Sequence, residues 1–307
     1  MTTLRYRSYL ASHRASTLLN LFRFVWSHPL NVNNRWGAIK RVLAWQAASR
    51  LMAGPIAFPF VEESKLFATR GMTGATGNWY CGLHEVDDMA FVLHALQESE
   101  HFLDVGANIG SYTVLAAAGP RARVTAVEPI PSTFEKLQAN VSLNRLEPRV
   151  NAYCVGLSDK RGVLHFSAGL DTVNHVLAPD ESLPAVEVSV MRLDDLVEDD
   201  CPALIKIDVE GHELPALRGA ARTLANPKLL AVVMETNGSG ARYGWSDDEL
   251  VALMQGHGFA AYSYNPFKRE LQPVKPGTGN TIFVRNHDEI MRRVKEARRF
   301  KVGSAEI

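Results

Sequence analysis

Five carboxylates mark where this chain is equipped for chemistry. Asp104, Glu128, Asp159, Asp208 and Glu235 each stand where a short apolar, β-rich segment stops. In an open parallel sheet, ligands bind outside the carboxyl ends of the strands. Packing does not call for acids there, so their recurrence points to a ligand that attracts negative charge. Asp104 ends the strand begun by His101-Phe102-Leu103, and Gly106 and Gly110 bracket Ala107-Asn108-Ile109 in the turn that follows. Glycine lets a ligand approach the backbone. Ser111 and Tyr112 then open a helix running to Ala118, whose first N–H groups are free to meet a polar group. The pattern is D-x-G-x-x-x-G. A dinucleotide-binding turn reads G-x-G-x-x-G, and an acid at Asp104 would repel its pyrophosphate. Glu128 follows at close to the ~20-residue spacing of an acid that grips a ribose. An ammonium, a sulfonium and a ribose on one molecule suit both acids, and S-adenosylmethionine carries all three.

A second group of residues suits the other substrate. Asp208 closes the apolar segment ALIKID, and Glu210, His212 and Glu213 follow it. A hydroxyl has a high pKa, so a placed base or a metal helps to make it nucleophilic. Asp208 is the first candidate base, with helix capping as its other role. Glu210 and His212 stand beside it as candidates, and dipole stabilisation is the alternative for Glu210 and Glu213. Lys206 is expected to pair with an acid. His175, with Asn174, lies in a loop between β-rich pieces and is a further candidate base. Asp208, Glu235 and Asn237, at neighbouring strand ends about 4.8 Å apart, form an oxygen-rich set suited to Mg²⁺. Ser158 and Asp159 close the third strand and join the expected cofactor residues. Trp79 and Tyr80 precede the organising strand and serve either as core aromatics or as a wall over the cofactor.

These residues need a scaffold. Strands are expected at 101–104, 123–127, 150–155, 203–208, 229–234, 259–264 and 281–285. Extra β-rich pieces lie at 162–167 and 186–191. Helices are expected at 89–97, 111–118, 132–144 (opened by the capping pair Ser132 and Glu135), 212–224 and 247–255, with a short helical piece at 194–197. The glycine-rich 69–77 reads as a turn. Alternation of strand and helix from 101 to 285 implies an α/β fold, a mostly parallel sheet with helices on both faces. The expected units are a basic helical arm and linker at 1–77, the catalytic domain at 78–285, and a surface-lying basic helical tail at 286–307.

Composition narrows the class. The chain has 307 residues, with 33 basic and 33 acidic side chains, so overall charge names no partner and nucleic acid is not expected. Three scattered cysteines argue for a reducing compartment and against a zinc site. No apolar run reaches the ~18 residues of a membrane span, and residues 18–26 make a poor signal sequence. A cytoplasmic protein is expected. The zero balance hides an asymmetry, because no Asp or Glu occurs from Met1 to Val61, while Arg5, Arg7, Arg14, Arg23, Arg35, Lys40, Arg41 and Arg50 do. Two amphipathic helices are expected there, at 16–26 and 36–52, split by His28-Pro29. In the second, Ile39, Val42, Leu43, Gln46 and Ala47 share a face and Lys40 and Arg41 turn away. The arm either packs on the core with a solvated basic face, or meets an anionic substrate or membrane surface, which would place the protein peripherally at the inner membrane face.

Three stretches carry a resemblance. LDVGANIGSYTVLAA at 103–117, AVEPIPSTFEKLQANVSLN at 126–144 and IKIDVEGHELPALRGA at 205–220 resemble the FkbM family of S-adenosylmethionine-dependent methyltransferases, with weaker similarity from about Asn78 to Arg285. The resemblance implies a class I methyltransferase, Rossmann-like fold. It implies O-methylation, with the hydroxyl of a sugar in a glycan, glycolipid or natural product as acceptor. It assigns the cofactor motif to Asp104, Gly106, Asn108 and Gly110, the ribose acid to Glu128, and a second signature to Lys206, Asp208, Glu210, Gly211 and Glu213. Mg²⁺ is permitted by it without being required. A nicotinamide-dependent oxidoreductase is the alternative on such a scaffold, disfavoured by the turn at 106–110. A non-catalytic partner-binding protein is a third reading, against which stand the intact acids.

Overall fold

The computed structural model describes residues 19–167, 175–178, 181, 184–277 and 279–307. A short hairpin, β1 (Ile56–Pro59) and β2 (Lys65–Ala68), precedes the main sheet. The chain then lays down β3 (His101–Val105), β4 (Arg123–Val127) and β5 (Val150–Tyr153). A side sheet follows, made of β6 (Gly156–Leu157), β7 (Gly162–Ser167) and β8 (Ala185–Met191). The main sheet resumes with β9 (Leu204–Ile207), β10 (Ala231–Thr236), β11 (Ala260–Asn265), β12 (Glu270–Pro273) and β13 (Gly279–Val284), and β14 (Lys301–Val302) with β15 (Ala305–Glu306) ends the chain.

The main sheet runs in the order β12-β11-β13-β10-β9-β3-β4-β5. Strands β5, β4, β3, β9 and β10 are mutually parallel, and β13 lies antiparallel between β10 and β11. From β3 the chain winds outward through β4 and β5, then returns to start the other half at β9. The order therefore reverses between β3 and β9, which is where an open α/β sheet forms its ligand crevice.

Every residue of β3 and β9 is buried, as befits central parallel strands covered on both faces. Side chains alternate between two cores. Phe102, Val124, Leu204 and Val233 point to one face; Leu103, Val127, Ile205 and Val232 point to the other. Asp104 and Lys206 are paired in register between β3 and β9, so two polar side chains sit side by side at the crevice end of the first face.

Several local expectations change. Residues 69–77 do not form a plain turn, because Thr73–Cys81 is a helix. Its small residues allow close packing: a β-carbon on Gly77 would lie 2.1 Å from the His84 ring. The helix expected over 212–224 breaks into Glu213–Arg218 and Ala221–Ala225. Ser132 is inside the helix Pro131–Leu143, whose first turn starts with a proline and has no side-chain cap. Asp104 lies within β3 and does not terminate it. Strand β12 had no alternating pattern to mark it.

The two ends pack into the body of the molecule. Val42 and Trp45 of the helix Arg35–Leu51, Phe60 of the hairpin region, and Phe300 and Val302 of the tail share one core with Phe91 and Leu115. Val61 bridges to Val302. The tail helix His287–Glu296 buries Ile290 and Val294 and is tied down by Arg293, which pairs with Glu100 at 2.8 Å. In the arm, Arg41 turns inward, against the amphipathic expectation, and donates to the carbonyl of Tyr80 and to Asn31 Oδ1. Leu43 lies on the exposed side.

Candidate functional site

A cleft opens at the β3–β9 reversal. Its lining includes Asp104, Gly106, Asn108, Ser111, Tyr112 and Glu128 on one side and Lys206, Asp208 and Glu210 on the other. The turn after β3 is built by backbone geometry. Gly106, Asn108 and Gly110 all have positive φ, a region where only glycine, and to a lesser degree asparagine, is at ease. The amides of Gly106 and Ala107 donate to the carbonyl of Val127, locking the turn onto β4. That lock positions Glu128. Its Oε2 accepts from the Asn108 N–H at 2.9 Å and its Oε1 from the Ile130 N–H at 3.0 Å. The carboxylate is thus held from both sides with lone pairs left for a ligand hydroxyl. Burial pushes its pKa up to about 7.

Asp104 is buried and accepts a 2.6 Å hydrogen bond from Thr113 Oγ1. Burial raises its pKa to about 6, with the Thr113 hydroxyl and the Lys206 charge opposing. Lys206 lies wholly inside the protein. Its Nζ is 3.2 Å from Asp208 Oδ2 and sits over the Tyr112 ring at 5.4 Å. Burial alone would lower its pKa, but the carboxylates of Asp208, Glu85 and Asp88 outweigh this and hold it above the usual lysine value. Among the described residues lining the cleft, Lys206 is the single lysine or arginine.

Asp208 follows β9, with its side chain 39% exposed beside this buried cation. Glu210 sits next to it at a positive φ and is pushed up to about 7 by burial, with Asp208, Glu235 and Glu213 adding repulsion. Glu213 is a structural acid. Its Oε1 accepts from the N–H groups of Val209 and Gly211 and so shapes the turn.

Other expected residues go elsewhere. Tyr80 is buried in the core beneath the arm and is absent from the cleft lining. Trp79 packs against Phe58 and donates to the Arg41 carbonyl. Ser158 lies outside the cleft, contacting His212 Nε2 at 3.2 Å and Asp159 at 3.3 Å. His212 is lowered to about 4 by burial and packs edge-on against Tyr243, so it is a neutral packing residue behind the cleft. His175 is buried at the side sheet, its Nε2 3.2 Å from Glu181. Asn174 falls outside the described residues.

The proposed Mg²⁺ set does not fit. Asn237 Oδ1 accepts from the Ser239 N–H, and the Asp208 carboxylate already faces an ammonium at 3.2 Å. Among the described residues no group of three or more His, Cys, Asp or Glu is arranged to hold a metal. The buried lysine supplies the positive charge that the metal was expected to bring.

Glu85 lines the cleft and was not legible beforehand, and Asn280 and Asp88 stand behind it. Tyr112 donates to Glu85 Oε2 at 2.8 Å, and Asn280 Nδ2 bridges Glu85 and Asp88 at 3.1 and 2.9 Å. Asp88 lies in the first turn of the helix Val86–Ala95, and its inward face shows only once β13 packs beside it. His84 lines the cleft and burial lowers its pKa. Nothing in its local sequence marks it.

Comparison with known proteins finds one family and several relatives. Residues 104–261 match the methyltransferase FkbM domain. Hexuronic acid methyltransferase AglP of Haloferax volcanii is 28% identical over 63% of this chain and 82% of its own length. Methyltransferase sdnD of Sordaria araneosa is 26% identical over 56% of this chain and 78% of its own. Among solved structures, a SAM-dependent methyltransferase from Agrobacterium tumefaciens aligns with 76% of this chain and 71% of its own at 11% identity and a TM-score of 0.42.

Proposed function

The chain belongs to the FkbM methyltransferase family, and we propose that it transfers a methyl group from S-adenosylmethionine to a hydroxyl of a sugar. The observation that carries this reading is one cleft with two kinds of lining. Gly106, Asn108 and Glu128 line one side and suit a ribose, and Lys206, Asp208 and Glu210 line the other and suit a proton transfer. The sheet order brings both groups to the reversal between β3 and β9. The sugar acceptor is supported by the relative named for hexuronic acid methylation.

S-adenosylmethionine, when bound, supplies a methyl group activated by its positive sulfur. The chain does the rest. Glu128 accepts from the ribose, and the acids around the turn offset the positive charge. Asp208 accepts the proton of the acceptor hydroxyl as the new O–C bond forms, a contribution of about 10²-fold or more. Lys206 keeps Asp208 oriented. A nicotinamide dinucleotide suits this cleft poorly, because Asp104, Glu128, Asp208 and Glu210 would face its pyrophosphate with one lysine to offset them.

The test is incubation with methyl-labelled S-adenosylmethionine and a panel of neutral, amino and acidic glycans. Label is expected in a base-stable ether, with loss on Asp208→Asn and cofactor binding retained. Binding of NADH without binding of S-adenosylmethionine would overturn the reading.

A further inference from the structure

We infer that the two arm helices form a face that docks on a bilayer containing anionic lipid. The face is visible in the pattern of exposure. Large apolar side chains left exposed elsewhere, at Tyr153, Val163, Phe267 and Val274, are scattered; all others among the described residues fall between Leu19 and Met52. On the helix Arg35–Leu51 they form a stripe. Val42 and Trp45 face the core, while Trp36 at 71%, Leu43 at 55% and Leu51 at 85% exposure face out. Lys40, Ala47 and Arg50 fill the gaps at helical spacing and are exposed.

The second helix continues the surface. Residues 19–27 are helical and expose Phe24, Trp26 and Arg23. The Trp26 ring meets the Trp36 ring edge-on at 5.4 Å, and the Arg35 guanidinium lies over Trp26 at 5.4 Å. The two helices therefore present one aromatic and basic patch. A concentration of exposed apolar residues of this kind marks an interaction surface. Its charge selects the partner. No acid occurs before Glu62, so nothing in the patch answers a basic protein, and arginines and lysines interleaved with Trp and Leu suit a headgroup layer. No described helix is long and apolar enough to cross a membrane, so the contact is in-plane.

The position gives the face a use. The helix Thr73–Cys81 lies between the arm and the cleft: Arg41 and Trp79 tie one side to the arm, while Thr73, Gly74 and Asn78 line the cleft. Docking holds the cleft mouth near the bilayer, where an acceptor glycan carried on a lipid would be found.

Vesicle co-sedimentation of the full chain tests this independently of catalysis, with vesicle-free spins as control. Phosphatidylcholine vesicles containing phosphatidylserine are expected to pellet the protein at low salt, with a blue shift of tryptophan emission as Trp36 inserts. Each basic residue near the surface contributes about five-fold, so K40S/R50S should weaken binding and reduce its salt dependence. W36S/L43S/L51S should lose pelleting while keeping the far-UV spectrum and transfer to a soluble acceptor. Equal pelleting with and without phosphatidylserine, or none with either, would overturn the proposal. So would a dimer that the triple variant converts to monomer while vesicles leave the wild type in solution.

Discussion

A β-carbon on Gly106 would lie 1.8 Å from the carbonyl oxygen of Asp208. The first turn of the cofactor half and the end of β9 are therefore in backbone contact. Two halves of the cleft, separated by a hundred residues of chain, approach to a distance that no side chain permits. The Gly106 φ of 74° adds to this. Gly106→Ala is expected to destabilise the protein by about 2–4 kcal/mol, from conformational strain and steric displacement together, and to weaken cofactor binding. Chemical denaturation and calorimetry check both. A wild-type midpoint would mean the two strand ends can separate without cost.

Glu128 makes cofactor binding pH-dependent. Its pKa is raised to about 7 in the fold from an ordinary 4.5, so ionising it in the folded protein is unfavourable. Its contribution to stability is full below 4.5 and is lost as pH rises through 7. A ribose hydroxyl donating to the carboxylate favours the ionised form and reverses this. Affinity for S-adenosylmethionine should rise as pH climbs towards about 7, with a proton released on binding below that pH. Calorimetry in buffers of different ionisation enthalpy measures the release, and Glu128→Gln should abolish most of it.

Lys206 and Asp208 act as a pair. Lys206→Met leaves Glu85, Asp88 and Asp104 without their cation. The loss should be about 3 kcal/mol, the low end for breaking a buried pair because Asp208 is partly exposed, and should grow with pH as the acids ionise. The growth of this loss with pH separates the role from simple misfolding. Asp208→Asn should lower turnover about 10²-fold, at some cost in stability because the buried Lys206 ammonium loses its neighbouring carboxylate.

EDTA is expected to leave turnover unchanged. The reason lies in the contacts: the Lys206 ammonium holds the side of Asp208 that an ion would need. Loss of activity on chelation with recovery on Mg²⁺ would show that the pair opens in the working enzyme.

The acceptor side should prefer neutral or amino sugars over uronic acids. Glu85, Asp208 and Glu210 line the cleft and Asp88 stands behind Glu85. A carboxylate on the acceptor would meet like charge with Lys206 already engaged. Relative kcat/KM for matched neutral and acidic glycans decides this, and an acidic glycan winning by tenfold or more would reject it.

Local signals pointed to S-adenosylmethionine, and the resemblance of three stretches to the FkbM family implied the reaction class. Hydrophobic runs and glycine punctuation located the parallel strands, and acids placed just after them read as ligand contacts because no packing rule puts them there. The turn at 106–110 was legible for the same reason, since positive φ and close approach demand glycine. What the sequence could not decide was which acids meet. Asp104 and Lys206 face each other because β3 and β9 pair in register, a relation that exists only after the chain returns to the sheet centre. Lys206 therefore pairs with Asp208, one of the residues that sequence reasoning gave to a metal. Glu85, Asp88 and Asn280 come together because β13 inserts beside β10 and brings its end to the helix Val86–Ala95. His175, His212 and Tyr80 had the right chemistry, but packing turned them away. Side-chain type and spacing are local properties. Register, strand order and the direction of a buried side chain are set by long-range pairing, and these decided the site.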